Sequence, residues 1–199
     1  MRIAIIGTGK VGSALGARLT TAGHDVAYGS RTPGNRPGPV SHTEAVRGAE
    51  LVITAIPGTD VVPTLEKIGE DLLADRIVLD PSAALTPELA LAYPNDSVAQ
   101  RVQSRFPRAR VVKALNTMNF SIMIDPLASL PHATVFVSGD DDNAKRAVKG
   151  LLADLGWPTE AILDLGDVST ATATEHAAPL FFATHRALQT LRFAIAIAR

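Results

Sequence analysis

Gly7, Thr8, Gly9, Lys10, Val11 and Gly12 repeat the spacing G-x-G-x-x-G close to the amino terminus. That spacing suits a backbone that turns sharply and lets a pyrophosphate come close. The first glycine permits the turn, the second keeps a side chain out of the phosphate's path, and the third lets a helix pack on a strand. A helix starting here aims free N–H groups and a partial positive charge at the phosphates. About 20 residues on, an NAD-binding protein carries Asp or Glu for the adenosine ribose. This chain has Gly29 there, followed by Ser30 and Arg31. A hydroxyl and a planar guanidinium match the acceptor oxygens of a 2′-phosphate, so the pattern predicts NADP(H). Arg36 would add a second cation and Thr8 a second hydroxyl. The competing reading makes the glycines a packing turn and Arg31 a solvated residue at a strand end.

Only a β-α-β unit can hold these residues in that way. The apolar run at 2–6 predicts a strand ending at Gly7; Val11, Leu15 and Leu19 then recur at helical spacing, and Gly23 stands where that helix should stop. A second strand at 25–28 delivers Gly29, Ser30 and Arg31. Further β-rich runs at 51–55, 76–79, 110–114, 134–137 and 161–163 alternate with helical stretches at 41–47, 61–73, 98–106, 141–155 and 174–191. The alternation predicts an α/β fold, a Rossmann-type doubly wound, mainly parallel sheet with a small C-terminal helical lobe. Three prolines and two glycines between 32 and 40 predict a loop. The domain reading is a dinucleotide-binding domain over 1–155 and a lobe over 156–199, with a long apolar helical tail at 180–197.

Composition narrows the partners. A chain of 199 residues suits one α/β domain with an appendage, and 46% hydrophobic with 20% charged residues is ordinary globular usage. The formal net charge of -1, without a basic tract, argues against nucleic acid and for a small-molecule partner. The absence of cysteine removes disulfides, thiolate zinc sites and cysteine nucleophiles. The short apolar opening does not have the pattern of a signal peptide, and no apolar run reaches membrane-spanning length, so a cytoplasmic protein that avoids membranes is expected.

Beyond the glycine turn, the blocks Gly29-Ser30-Arg31, Ile56-Pro57, 112–119 (VKALNTMN), 135–140 (VFVSGD), Leu155-Gly156-Trp157, 163–166 and Glu175 resemble those of the NADP oxidoreductases that depend on coenzyme F420, a deazaflavin. Similar blocks occur in the cytoplasmic domains of six-transmembrane ferric reductases, which pass hydride from NADPH to a flavin. The resemblance implies direct hydride transfer between nicotinamide C4 and deazaflavin C5, commonly in a homodimer, with the acceptor between the main domain and the C-terminal lobe. A conjugated acceptor delocalises the incoming charge, so stacking two rings at transfer distance does most of the work.

Open α/β sheets bind ligands beyond the carboxyl ends of their strands. The segments closing the strands are Ile56-Pro57-Gly58, Asp80-Pro81-Ser82, Asn116-Thr117-Met118-Asn119 and Ser138-Gly139-Asp140. Ile56 and Pro57 are expected to shape the nicotinamide face, with Asp80 and Ala84 as neighbours, while Asn116, Thr117, Met118 and Asn119 look toward the acceptor. Some deazaflavin-dependent members have His at the place of Asn116, so the location carries over and its contacts do not. Asp80 either orients a substrate or starts a turn. Lys113 reaches a ligand anion or snorkels to the sheet edge. Glu175 reaches the acceptor pocket or packs the lobe. No residue is nominated as a certain acid, base or nucleophile, and no metal site is expected. Asp140-Asp141-Asp142 reads as helix capping. Two other functions stay open: an NADPH-dependent imine or carbonyl reductase, whose relatives usually add a long helical domain, and a non-catalytic NADP(H) sensor.

Overall fold

The computed structural model describes residues 1–33 and 38–198. The chain opens with β1 (Arg2–Ile6), α1 (Lys10–Thr21) and β2 (Asp25–Ser30), followed by β3 (Val40–Ser41), α2 (His42–Val46), β4 (Leu51–Thr54), α3 (Gly58–Ile68), α4 (Glu70–Leu73) and β5 (Ile77–Asp80). The second half holds α5 (Val98–Arg105), β6 (Arg110–Ala114), α6 (Phe120–Met123), α7 (Pro126–Ser129), β7 (Val135–Ser138), α8 (Asp142–Asp154), β8 (Ile162–Gly166), α9 (Ala171–Glu175) and α10 (Ala177–Leu188). Eight strands form one sheet in the order β3-β2-β1-β4-β5-β6-β7-β8.

The strands read as continuous apolar runs because helices cover both faces of the sheet. Ile3, Ile5, Leu51, Ile53 and Leu79 point into one core, where Leu15 and Leu19 of α1 and Leu151 and Leu152 of α8 meet them. The alternate residues Ala4, Ile6, Val52 and Val78 enter the other core, against Val61 and Leu65 of α3 and Val98 and Val102 of α5. Chain order reverses between β1 and β4, which makes their carboxyl ends the topological switch point where open α/β sheets hold ligands.

The structure departs from the expected elements at five places. Val40 and Ser41 pair in parallel with Gly29 and Ser30, so the proline-rich stretch ends in a short edge strand; Arg36 lies outside the described residues. The helix expected at 61–73 begins at Gly58 and breaks at Gly69, whose φ of 100° ends α3. Two short helices, α6 and α7, stand between β6 and β7 where none was expected. β7 runs antiparallel to β6, so Gly139 and Asp140 head toward the amino end of β6, away from the crevice that the other strand ends share. Finally, the helix expected at 174–191 is two helices, and Gln189, with φ of 54°, caps the second. The expected apolar helical tail is helical to Leu188 and extended beyond Gln189: Thr134 N donates to Ile195 O at 2.9 Å and Ile197 N to Thr134 Oγ1 at 3.1 Å. The alternating Ala-Ile pattern of 194–197 suits such a chain, with Ala194 turned to the core. Among the described residues no helix is long and apolar enough to cross a membrane, and no cluster of His, Cys, Asp or Glu is placed to hold a metal ion.

Candidate functional site

Gly7 adopts φ of 114°, and a Cβ there would lie 2.3 Å from the Ala55 carbonyl oxygen. At Gly12 a Cβ would lie 2.2 Å from the Gly7 carbonyl oxygen. Any side chain at either position would push α1 off β1 or the turn off β4. Gly7 N donates to Gly29 O at 3.0 Å, which ties the turn to the end of β2 and brings it beside Ser30 and Arg31. Gly9 caps α1 with no side-chain hydrogen bond and open space around it, so the first N–H groups of a 12-residue helix are left for a ligand. These features fit a pyrophosphate cradle.

A cavity of about 560 Å³ extends from this turn. Of the expected residues it gathers Gly7, Thr8, Gly9, Ser30, Arg31, Ile56 and Pro57. Lys10 and Val11 do not line it; Gly12 is buried behind the turn, and Ala84 is buried near the start of α3. The cavity also takes in residues that the sequence reading passed over, among them His42 and, along one face of α3, Asp60, Pro63, Thr64 and Lys67. The available signal was amphipathic spacing: Val61, Leu65 and Ile68 bury the opposite side of α3. Burial, with the charges of Arg31 and Lys67 adding, holds the His42 imidazole below its ordinary pKa.

The four residues after β6 divide. Leu115 has φ of 69°, a left-handed conformation that costs a branched residue of order 1 kcal/mol or more and tends to persist where the fold over-determines it. Beside it, the Asn116 side-chain nitrogen is buried with no hydrogen-bond partner among the described residues. Thr117 lines a small cavity of about 110 Å³ with Leu180, Phe181, Phe193 and Ile195. Met118 belongs to the core, and Asn119 caps α6, its Oδ1 accepting from Ser121 N at 3.1 Å and Ser121 Oγ at 3.0 Å.

Asp80, Lys113 and Glu175, left open by the sequence, meet in one buried network. Asp80 and Lys113 are cross-strand partners on β5 and β6. The Lys113 ammonium donates to Asp80 Oδ2 at 2.7 Å, Glu175 Oε1 at 2.6 Å and Ser82 O at 2.5 Å. Asp80 Oδ1 accepts from Thr54 Oγ1, Ser82 N and Ser82 Oγ. Glu175 also accepts from Val98 N at 2.7 Å, the amino end of α5. Asp80 is fully buried and lines neither cavity described above, so it is not placed to touch a ligand there. Burial pushes the Glu175 carboxyl up, reinforced by the Asp80 charge and opposed by Lys113. Trp157 is core, donating to Met123 O at 3.0 Å, and Asp141 caps α8 through Ala144 N.

With the geometry in place, comparison with known proteins gives it a class. A family model described as NADP oxidoreductase, coenzyme F420-dependent, matches residues 2–84. A crystal structure provisionally described as an F420-dependent NADP-reductase, from Arthrobacter sp. FB24, is 35% identical, with a TM-score of 0.93 over 100% of both chains. The metalloreductase STEAP3 of Rattus norvegicus is 28% identical over 182 residues, 87% of this chain. The chain spans 36% of that relative's length. An imine reductase of Streptomyces aurantiacus, 21% identical, shares the fold with a TM-score of 0.65 over 94% of this chain and 63% of its own. The doubly wound sheet with its glycine turn at the switch point is that of a Rossmann-type NADP-dependent oxidoreductase. The chain belongs to the coenzyme F420-dependent NADP oxidoreductase family.

Proposed function

We propose that this protein transfers hydride between NADP(H) and a deazaflavin such as coenzyme F420, or a flavin. The observation that carries the acceptor class is the lining of the small cavity beside Thr117. It offers two threonine hydroxyls among alanine, leucine, isoleucine and phenylalanine side chains, and no titratable group. An imine or carbonyl acceptor needs a proton delivered as hydride arrives, whereas a conjugated ring spreads the charge and needs mainly stacking. Bound NADPH would supply the hydride from nicotinamide C4.

The chain's own residues then orient and exclude water. Gly7, Thr8, Gly9 and the amino end of α1 hold the pyrophosphate, Ser30 and Arg31 the 2′-phosphate, and Ile56 with Pro57 back the nicotinamide. Asn116 lines neither cavity, and its buried amide nitrogen would meet a ring carbonyl only after the acceptor cavity opens. At about 110 Å³ the apolar cavity is below the roughly 300 Å³ at which ligand pockets begin, so binding a ring there would require α10 and the tail to move outward.

The test is NADPH oxidation, followed at the nicotinamide absorbance band, against coenzyme F420, FMN, FAD, ferric chelates and a cyclic imine. Turnover with the deazaflavin or a flavin is the expected result. Turnover with the imine alone would overturn the acceptor assignment, and stoichiometric NADPH binding without any turnover would make the protein a sensor.

A further inference from the structure

The cavity at the glycine turn has a cationic end that the sequence reading assigned to Arg31 and Arg36. In the structure a further cation, Lys67, lines the same cavity as Arg31. α3 begins at Gly58, directly after Pro57, and its 11 residues span about 16 Å at 1.5 Å per residue. The helix therefore runs along the cavity from the Ile56-Pro57 end and carries Lys67 on its last turn to the other end. Arg31, His42 and Lys67 all line this cavity, and the charges of the two cations add to burial in lowering the His42 pKa. His42 opens α2 and lies against Gly29. Neither Arg31 nor Lys67 is paired with a carboxylate among the described residues. Asp60 shares the α3 face but stands seven residues from Lys67, two turns or about 10 Å away. Two unpaired cations with Ser30 and Thr32 hydroxyls between β2 and α3 form a site for a dianion. A lysine in a last turn also suits the helix dipole, but that role does not depend on which face the lysine occupies.

We infer that Lys67 is the second cation of the 2′-phosphate subsite and, with Arg31, sets the preference for NADP(H) over NAD(H). The inference rests on the cofactor placement proposed above. Lys67 acts as a point charge from the α3 side while Arg31 presents its planar fork from β2.

Calorimetric titration with adenosine 2′,5′-bisphosphate and with 5′-AMP tests it, since the two differ by the 2′-phosphate alone. Lys67→Met is expected to weaken the bisphosphate roughly tenfold, one charge-assisted contact, and to leave 5′-AMP unchanged. Lys67→Arg is expected to keep the discrimination. Equal losses for both ligands would place Lys67 on the shared nucleoside and overturn the inference, as would no loss for either. A wild-type protein that binds both ligands equally would overturn the cofactor placement as well, which separates the two failures.

Discussion

Arg31 is exposed at the end of β2 and holds no carboxylate among the described residues, so its guanidinium can serve a phosphate at little cost. Arg31→Ala is expected to weaken NADPH binding by about 1.5–3 kcal/mol, the range of a hydrogen bond to a charged group, and NADH binding hardly at all. Fluorescence titration with both cofactors checks this, and equal losses would sink the specificity argument. Arg31 was legible because its place is local: a glycine turn, one helix and one strand fix it within the first 31 residues. Lys67 was not, because 36 residues separate it from Arg31 and only the packing of α3 against α2, which itself packs on β2, brings them to one cavity. Asn116 falls between these cases. Its position at a strand end was readable, but the missing partner of its buried nitrogen was not, since satisfaction of a polar group depends on every neighbour.

The buried network joins elements rather than residues. β5 gives Asp80, β6 gives Lys113 and α9 gives Glu175, and through Ser82 and Val98 they pin both ends of the long connection 81–97, which contains neither helix nor strand. Removing Lys113 or Asp80 from this set leaves an uncompensated buried charge, which is the costly event. Glu175 supplies a pH test. Its folded pKa is raised above the ordinary 4.5 by burial, so the folded state keeps a proton that the unfolded chain has released. Its contribution to stability is full below the unfolded value and is lost as pH rises through the folded one. Urea unfolding of wild type and Glu175→Gln across pH 4–8 should show the wild-type advantage shrinking as pH increases. A difference that stays flat or grows would contradict the assigned direction. The sequence named all three residues as ambiguous and could do no better, because Asp80 and Lys113 become partners only through β5–β6 register.

At the scale of the whole molecule, the C-terminal helix and tail leave Leu180, which lines the cavity of Thr117, 60% exposed, Leu188 57% and Leu191 41%. We propose that a second copy covers this face. Light scattering after gel filtration should then give twice the 20.9 kDa chain mass, and Leu180→Asp should shift it toward one. A wild-type monomer at micromolar concentration would refute the dimer. The sequence by itself determined the mainly parallel sheet, its two-faced burial and the glycine turn after β1, because continuous apolar runs, helical spacing and a glycine turn are local patterns. It misread the last residues of the tail, 190–197, as helix because an apolar run of alanine and isoleucine satisfies either period, and the bonds to Thr134 decide between them. Only the tertiary structure decided that β7 reverses direction, that Lys67 lines the same cavity as Arg31, and that Asp80, Lys113 and Glu175, far apart in sequence, share one buried hydrogen-bond network. Each of those outcomes depends on long-range packing, which no window of neighbouring residues contains.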